Sequence, residues 1–125
     1  MKLVDTSSWV EYLRERGSAV GDRVEALVLR GEAAWCDVTL VELWHGVRGA
    51  KEKRELAEME REIQRIAVHE AVWSLSSKLA LRSREKGFNV PISDIITAAC
   101  AVTHGLELEH CDKHYDDLMP LANSL

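Results

Sequence analysis

Long apolar runs are missing from this sequence: nothing in its 125 residues approaches the roughly 18 apolar positions that a membrane-crossing helix needs. The start of the chain carries Lys2 and then Asp5. That is not the charged-then-apolar layout of a secretory signal, and residence in the cytoplasm is the expectation that follows. Cysteine is scarce as well. Cys36, Cys100 and Cys111 are an odd number without C-x-x-C spacing, which argues against a disulfide framework and predicts three buried, reduced thiols among their apolar neighbours. Internal repeats, low-complexity segments and linkers are absent. So are G-x-x-x-x-G-K-[ST], H-E-x-x-H and G-x-S-x-G, which removes the common nucleotide-binding, zincin and serine-hydrolase motifs.

Basic charge is also in deficit, with 16 Lys and Arg against 21 Asp and Glu. The imbalance is local. Asp94, Glu107, Glu109, Asp112, Asp116 and Asp117 face Lys113 alone within one stretch, and the remainder of the chain is neutral. A local concentration of acids suits a cation site and leaves contact with RNA open elsewhere. What is present is ordinary for one soluble globular domain over residues 1–125: 46% hydrophobic and 30% charged residues, on a chain long enough to bury a core.

The opening "KLVDTSSWVEYL" ends a short apolar strand, residues 2–5, on a carboxylate. Ser8 and Glu11 have capping-box spacing and predict a helix through Glu15, closed by Gly17. Val20, Val24, Leu27 and Val28 form one face of a second helix that stops at Gly31. Residues 33–37, "AAWCD", read as a strand ending on Asp37. In "VTLVELWHGVRG" Thr39 is placed to cap a helix with Glu42 at its third position and Leu40, Leu43, Trp44 and Val47 as its apolar face. A charged helix over 51–66 follows, then a strand near 66–69 and a helix over about 71–86. Ser93 caps a helix whose inward residues are Ile95, Ala98, Ala99 and Val102, ended by Gly105. Residues 106–111 form the last strand, directly before Asp112. Short strands alternating with helices predict an α/β fold with a short central parallel sheet flanked by helices.

In such folds sites gather beyond the carboxyl ends of the strands. Asp5 and Asp112 stand there, and Glu42 and Asp94 sit in the first turns of helices that begin near the same edge. Burying a polar group without a partner costs about 2–7 kcal/mol. A divalent cation, which takes oxygen ligands and keeps several waters, would satisfy Asp5 and its three companions and could serve phosphodiester hydrolysis. Each acid also has a plainer role: Glu42 as a capping-box partner, Asp94 as a first-turn acid favoured by the helix dipole, Asp112 as a turn residue. Asp5 is the hardest to dismiss, since capping falls to Ser7 or Ser8. His110 and His114 flank Asp112 in "HCDKH", but without a second cluster they make a poor zinc site and read as surface histidines. Asp37, Asp116 and Asp117 are reserve carboxylates. Lys78, Arg82 and Lys86, with Arg84, form the best RNA-backbone candidate. The stripe of Leu56, Met59, Ile63 and Ile66 on the charged helix is too narrow for a core helix. With Trp44 and Val47 before it, it predicts a protruding helical hairpin with an open apolar groove.

"LVDTSSWVEYL", "TLVELWHGVR", "ISDIITAACAVTHGLEL" and "CDKHYDDL", in this order over essentially the whole chain, resemble the PIN-domain ribonucleases, and within them the VapC-like toxins of type II toxin–antitoxin pairs. The resemblance implies that Asp5, Glu42, Asp94 and Asp112 bind Mg²⁺ or Mn²⁺ and are catalytic, with Thr6 or Ser7 in support. It implies cleavage of structured RNA, tRNA or rRNA, by cation-activated water, leaving a 5′-phosphate and a 3′-hydroxyl. It further implies a homodimer that assembles with an antitoxin, whose helix would lie in the groove of Trp44, Val47, Leu56, Met59 and Ile63. The chain departs from the family pattern at His110, where Ser or Thr is common, and at His114–Tyr115, where an acid or Asn precedes Phe. Asp116 is the substitute those departures leave for a second cation. Two other classes share the outline: a phosphoaspartate receiver, for which no partnering Lys is placeable, and a metal-free interaction module. Cation-dependent RNA cleavage separates all three.

Overall fold

The strands are short because each needs only to cross the core once. In the computed structural model, which describes residues 1–15 and 17–125, β1 (Lys2–Val4), β2 (Ala33–Cys36), β3 (Gln64–Ile66) and β4 (Glu107–Glu109) form one parallel sheet in the order β3-β2-β1-β4. Leu3 pairs with Ala34 on one side and with Leu108 on the other, while Cys36 lies opposite Ile66. Successive strand residues point to opposite faces. Val4, Ala33 and Trp35 therefore enter one core with Trp9, Val24, Leu27 and Leu43, whereas Leu3, Ala34 and Cys36 enter another with Val72, Ile96 and Ala99.

The helices that cover these faces are α1 (Thr6–Arg14), α2 (Ala19–Leu29), α3 (Asp37–His45), α4 (Gly49–Glu62), α5 (Glu70–Glu85), α6 (Ile92–Thr103) and α7 (His114–Ser124). α6 is buried along Ile95–Ala101, and its alanines let α5, α7 and α3 approach closely. Its end fixes the direction of β4. Leu106 N–H donates to Ala101 O at 2.9 Å and Gly105 N–H to Val102 O at 3.2 Å, with Gly105 at φ 65°. This is a closure that a residue without Cβ accommodates at least cost.

The parallel sheet flanked by helices is the architecture the alternating pattern predicts, and the structure corrects several details. Asp5, not Ser7 or Ser8, caps α1: its Oδ1 accepts Ser8 N–H at 3.0 Å, and Asp is as good a cap as Ser. α3 begins at Asp37 with Cys36 as its cap, so Thr39 lies inside the helix and Glu42 is not a capping-box partner. α4 ends at Glu62, and the strand after it falls at 64–66. α7 has no counterpart in the sequence reading. Cys36 and Cys100 are buried, but Cys111 is exposed.

The hairpin groove is filled where it was expected to be open. Leu56 is 1% exposed and packs with Trp9, Trp35 and Leu43, and Trp44, Val47, Met59 and Ile63 are half-buried against the same cluster. Burying one such side chain is worth about 1.5–3 kcal/mol, more than a charged helix of this length gains by standing free. Arg14 ties the pair down: its guanidinium donates to both oxygens of Glu52 and to Gly46 O.

Candidate active site

β1 delivers Asp5 to the carboxyl edge of the sheet, where its N–H donates to Glu109 O at 3.1 Å and its side chain is 2% exposed. One residue on, Thr6 Oγ1 donates to Glu42 Oε1 at 2.7 Å and so fixes the carboxylate that α3 presents. Asp94 stands in the first turn of α6, half-buried, with Tyr115 O–H donating to its Oδ1 at 3.3 Å. Asp112 follows β4, and its Oδ1 accepts His114 N–H at 3.0 Å, which folds the chain into α7. The His114 ring closes the arrangement, its Nδ1 lying 2.9 Å from Asp94 Oδ2 and 3.1 Å from Asp112 Oδ1.

Asp5, Glu42 and Asp94 line one cavity of about 510 Å³ together with Thr6, Ser7 and Cys111. Asp112 adjoins it through Cys111 and through His114. All four carboxylates named from the sequence are thus on one rim, contributed by four segments, and Thr6 and Ser7 are beside them. Asp116 is not: with Asp117 it lines a separate cavity of about 460 Å³ that also holds Arg82 and Lys86. Lys78, Arg82 and Lys86 are exposed along one side of α5, and the acids opposite Arg82 and Lys86 temper the positive field there. Glu11, Glu15, Arg14 and Arg48 also line the carboxylate cavity, and of these Glu15 and Arg48 carry no site role in the sequence reading. Glu11 had been assigned to capping, Arg14 is committed to Glu52, and Arg48 is exposed without an ion pair among the described residues. A second RNA face, near Arg14 and Arg16, is also an expectation of the sequence, and Arg16 lies outside the described residues.

The electrostatics are those of crowded acids. Burial raises the Asp5 carboxyl above its ordinary range, and the Asp94 charge adds to the effect against the Ser8 and His110 contributions. Burial also raises the Tyr115 phenol, helped by Asp94 and Asp5. Although Cys111 is exposed as a residue, partial desolvation of its sulfur and the charges of Asp5, Glu11 and Asp112 raise the thiol against the lowering effect of the Ser8 hydrogen bond. His114 shifts upward, chiefly through its hydrogen bond to Asp94 and then through Asp112. Among the described residues no Lys or Arg pairs with Asp5, Glu42, Asp94 or Asp112. An oxygen-rich, partly desolvated set whose only ion-pair partner among the described residues is the His114 imidazole fits a hard divalent cation. Asp94, Asp112 and His114 place a carboxylate oxygen or ring nitrogen each within 4.8 Å of one another. His114 is the residue sequence reasoning passed over, because its neighbours His110 and Cys111 framed it as half of a failed zinc motif.

The PIN domain pattern matches residues 2–118, and the chain belongs to the PIN domain family. Among curated relatives it is similar to ribonuclease VapC21 of Mycobacterium tuberculosis, 31% identical over 83% of this chain and 78% of that one. It is also similar to a VapC ribonuclease of Mycobacterium bovis, 28% identical over 98% and 95%. The fold recurs in VapBC2 from Rickettsia felis bound to a promoter DNA fragment, with a TM-score of 0.80 at 16% identity over 95% of this chain and 92% of that one. FitAcB from Neisseria gonorrhoeae gives 0.72 at 22% identity over 98% and 94%.

Proposed function

We propose that this protein is a divalent-cation-dependent endoribonuclease and the toxin of a toxin–antitoxin pair, acting on structured RNA such as tRNA or rRNA. The observation that carries the proposal is the meeting of Asp5, Glu42 and Asp94 on one cavity, with Asp112 bridged to Asp94 by His114 and no Lys or Arg paired with any of the four among the described residues. The names of its curated relatives, ribonucleases all, support the reaction class. Asp5, Glu42, Asp94 and Asp112 would hold the cation, Mg²⁺ or Mn²⁺. When bound, the cation supplies charge neutralisation at the phosphodiester and a lowered pKa for the attacking water. The protein's own residues do the positioning. Thr6 orients Glu42, Tyr115 orients Asp94, and the uncommitted Arg48 on the cavity wall is placed to take a phosphate oxygen.

An antitoxin is the expected partner, and its helix would cover the α3–α4 face. With Leu56 withdrawn into the core, that contact falls on Trp44, Val47, Met59 and Ile63, together with Val41, which is 68% exposed. A second copy of the chain is expected too, to form the dimer on which the antitoxin assembles; the exposed Trp73, Leu81 and Ile92 provide apolar surface for it. Among the described residues no helix is long and apolar enough to cross a membrane. Sequencing of RNA 5′ ends after brief expression, comparing wild type with Asp112→Asn, tests the proposal. New 5′-phosphate ends at a few sites with wild type alone support it, whereas identical end profiles reject it.

A further inference from the structure

The resemblance and the oxygen-rich rim point to a hard cation, yet one donor at this rim, the His114 ring nitrogen, is not oxygen. We propose that His114 is a cation ligand, and that its ring nitrogen makes this site prefer a first-row transition cation over Mg²⁺. The inference rests on the divalent-cation reading above and concerns which ion that site selects.

Three observations carry it. His114 Nδ1 lies 2.9 Å from Asp94 Oδ2 and 3.1 Å from Asp112 Oδ1. Two ligands at right angles around an ion, each at about 2.1 Å, stand about 3.0 Å apart, so the ring nitrogen already occupies a neighbouring-ligand distance from both oxygens. The donors are held from behind. Tyr115 O–H occupies the other oxygen of Asp94, whereas the Asp112 oxygen that faces the ring, Oδ1, is itself fixed by the backbone N–H of His114. Finally, the ring is 39% exposed at the rim, open to an arriving ion, whereas His110 turns its ring onto Tyr115, with centroids 5.0 Å apart and its Nδ1 buried.

The chemistry then sets the direction of selectivity. Carboxylates and water suit Mg²⁺ and Mn²⁺ alike, while imidazole favours later ions, with affinity rising from Mn²⁺ through Co²⁺ and Ni²⁺. A site of carboxylates alone discriminates weakly among these ions, and adding an imidazole to the four carboxylates shifts the preference toward the later ones. The plain alternative is that His114 only ties the start of α7 to α6 by hydrogen bonds.

Calorimetric titration of the RNA-free protein with Co²⁺, and with Mg²⁺ in competition, separates the two, alongside the visible absorption of bound Co²⁺. His114→Asn keeps a polar side chain at the same backbone position. His69→Asn is the control for the other exposed ring pair, His69 and His104, with centroids 5.0 Å apart. The expected result is that His114→Asn weakens Co²⁺ by about tenfold or more, changes its spectrum and leaves Mg²⁺ affinity in place, while His69→Asn changes nothing. An equal effect on both ions, an unchanged Co²⁺ spectrum, or a Co²⁺ loss that follows His69→Asn overturns the inference and leaves the cation reading standing. Failure of the wild type to bind either ion removes both.

Discussion

Replacing Asp5 in two ways separates its structural role from its chemical one. Asp5→Asn keeps the cap on α1, because an Asn oxygen accepts Ser8 N–H as well as Asp does. Asp5→Ala loses the cap and leaves a buried donor unpaired, at a cost of about 1–2 kcal/mol relative to Asn. For a chain of this size that is roughly 3–10 °C in Tm. Both variants delete the same charge, and the sign of that deletion follows from the surroundings. Burial, reinforced by Asp94, raises the folded-state pKa of Asp5 above its unfolded value. The wild-type fold therefore keeps this contribution below the unfolded pKa and loses it as pH rises through the folded one. In EDTA-treated protein, Asp5→Asn should melt at or above wild type at neutral pH and lose that advantage below the carboxylate range, with Asp5→Ala lower at both. Melting curves in the two buffers check this. An Asn variant as unstable as the Ala variant at neutral pH would refute the claim that the rim is a strained set of acids awaiting a cation.

Leu56→Ala should cost about 2–5 kcal/mol in chemical denaturation, and Leu56→Asp should fail to fold; a native-like Leu56→Asp would mean α4 is not anchored to the core. Val41→Asp with Met59→Asp should weaken antitoxin co-purification and leave RNA cleavage by the free protein intact, and unchanged co-purification would move the partner elsewhere. Arg48→Gln should lower the salt slope of RNA binding by about 0.7–0.9, whereas Lys78→Gln with Arg82→Gln and Lys86→Gln should change it less, since acids face two of those three. A larger change from the α5 triple would reverse the assignment. For Asp37, partial burial is outweighed by Val68 N–H and Arg65, so its carboxyl lies below the ordinary range. The stability it adds holds above the unfolded pKa and is lost as pH falls through the folded one. Asp37→Asn should therefore flatten the acid limb of a stability–pH curve, and an unaltered limb would contradict the pairing.

Much of the site was legible because parallel strands leave one edge for acids to gather on, and Asp5 and Asp112 follow apolar strands directly. The sheet order was not written in any local pattern. It comes from the two-faced packing of Leu3 against α6 and Val4 against Trp9, which only the assembled core reveals. The capping of α1 was misassigned for a related reason: Asp5, Ser7 and Ser8 all qualify locally, and the register of β1 against Glu109 decides among them. His114 was set aside with His110 as half of a poor zinc motif, and Arg48 is one basic residue among many in its segment. The meaning of His114 depends on Asp94, and that of Arg48 on Asp5 and Asp94, which are distant in the chain and share one rim in the fold. The α3–α4 groove misled in the opposite direction, since a one-residue stripe is enough when Leu56 packs into the cluster that Trp9 and Trp35 build.

Whether the rim works through a bound cation is decided by incubating the EDTA-treated protein with total RNA, with and without added Mg²⁺ or Mn²⁺ and beside Asp94→Asn of matched melting temperature. Cleavage absent in EDTA, restored by the divalent cation and lost in Asp94→Asn is the predicted result; cleavage that persists in EDTA, or that Asp94→Asn retains, contradicts it.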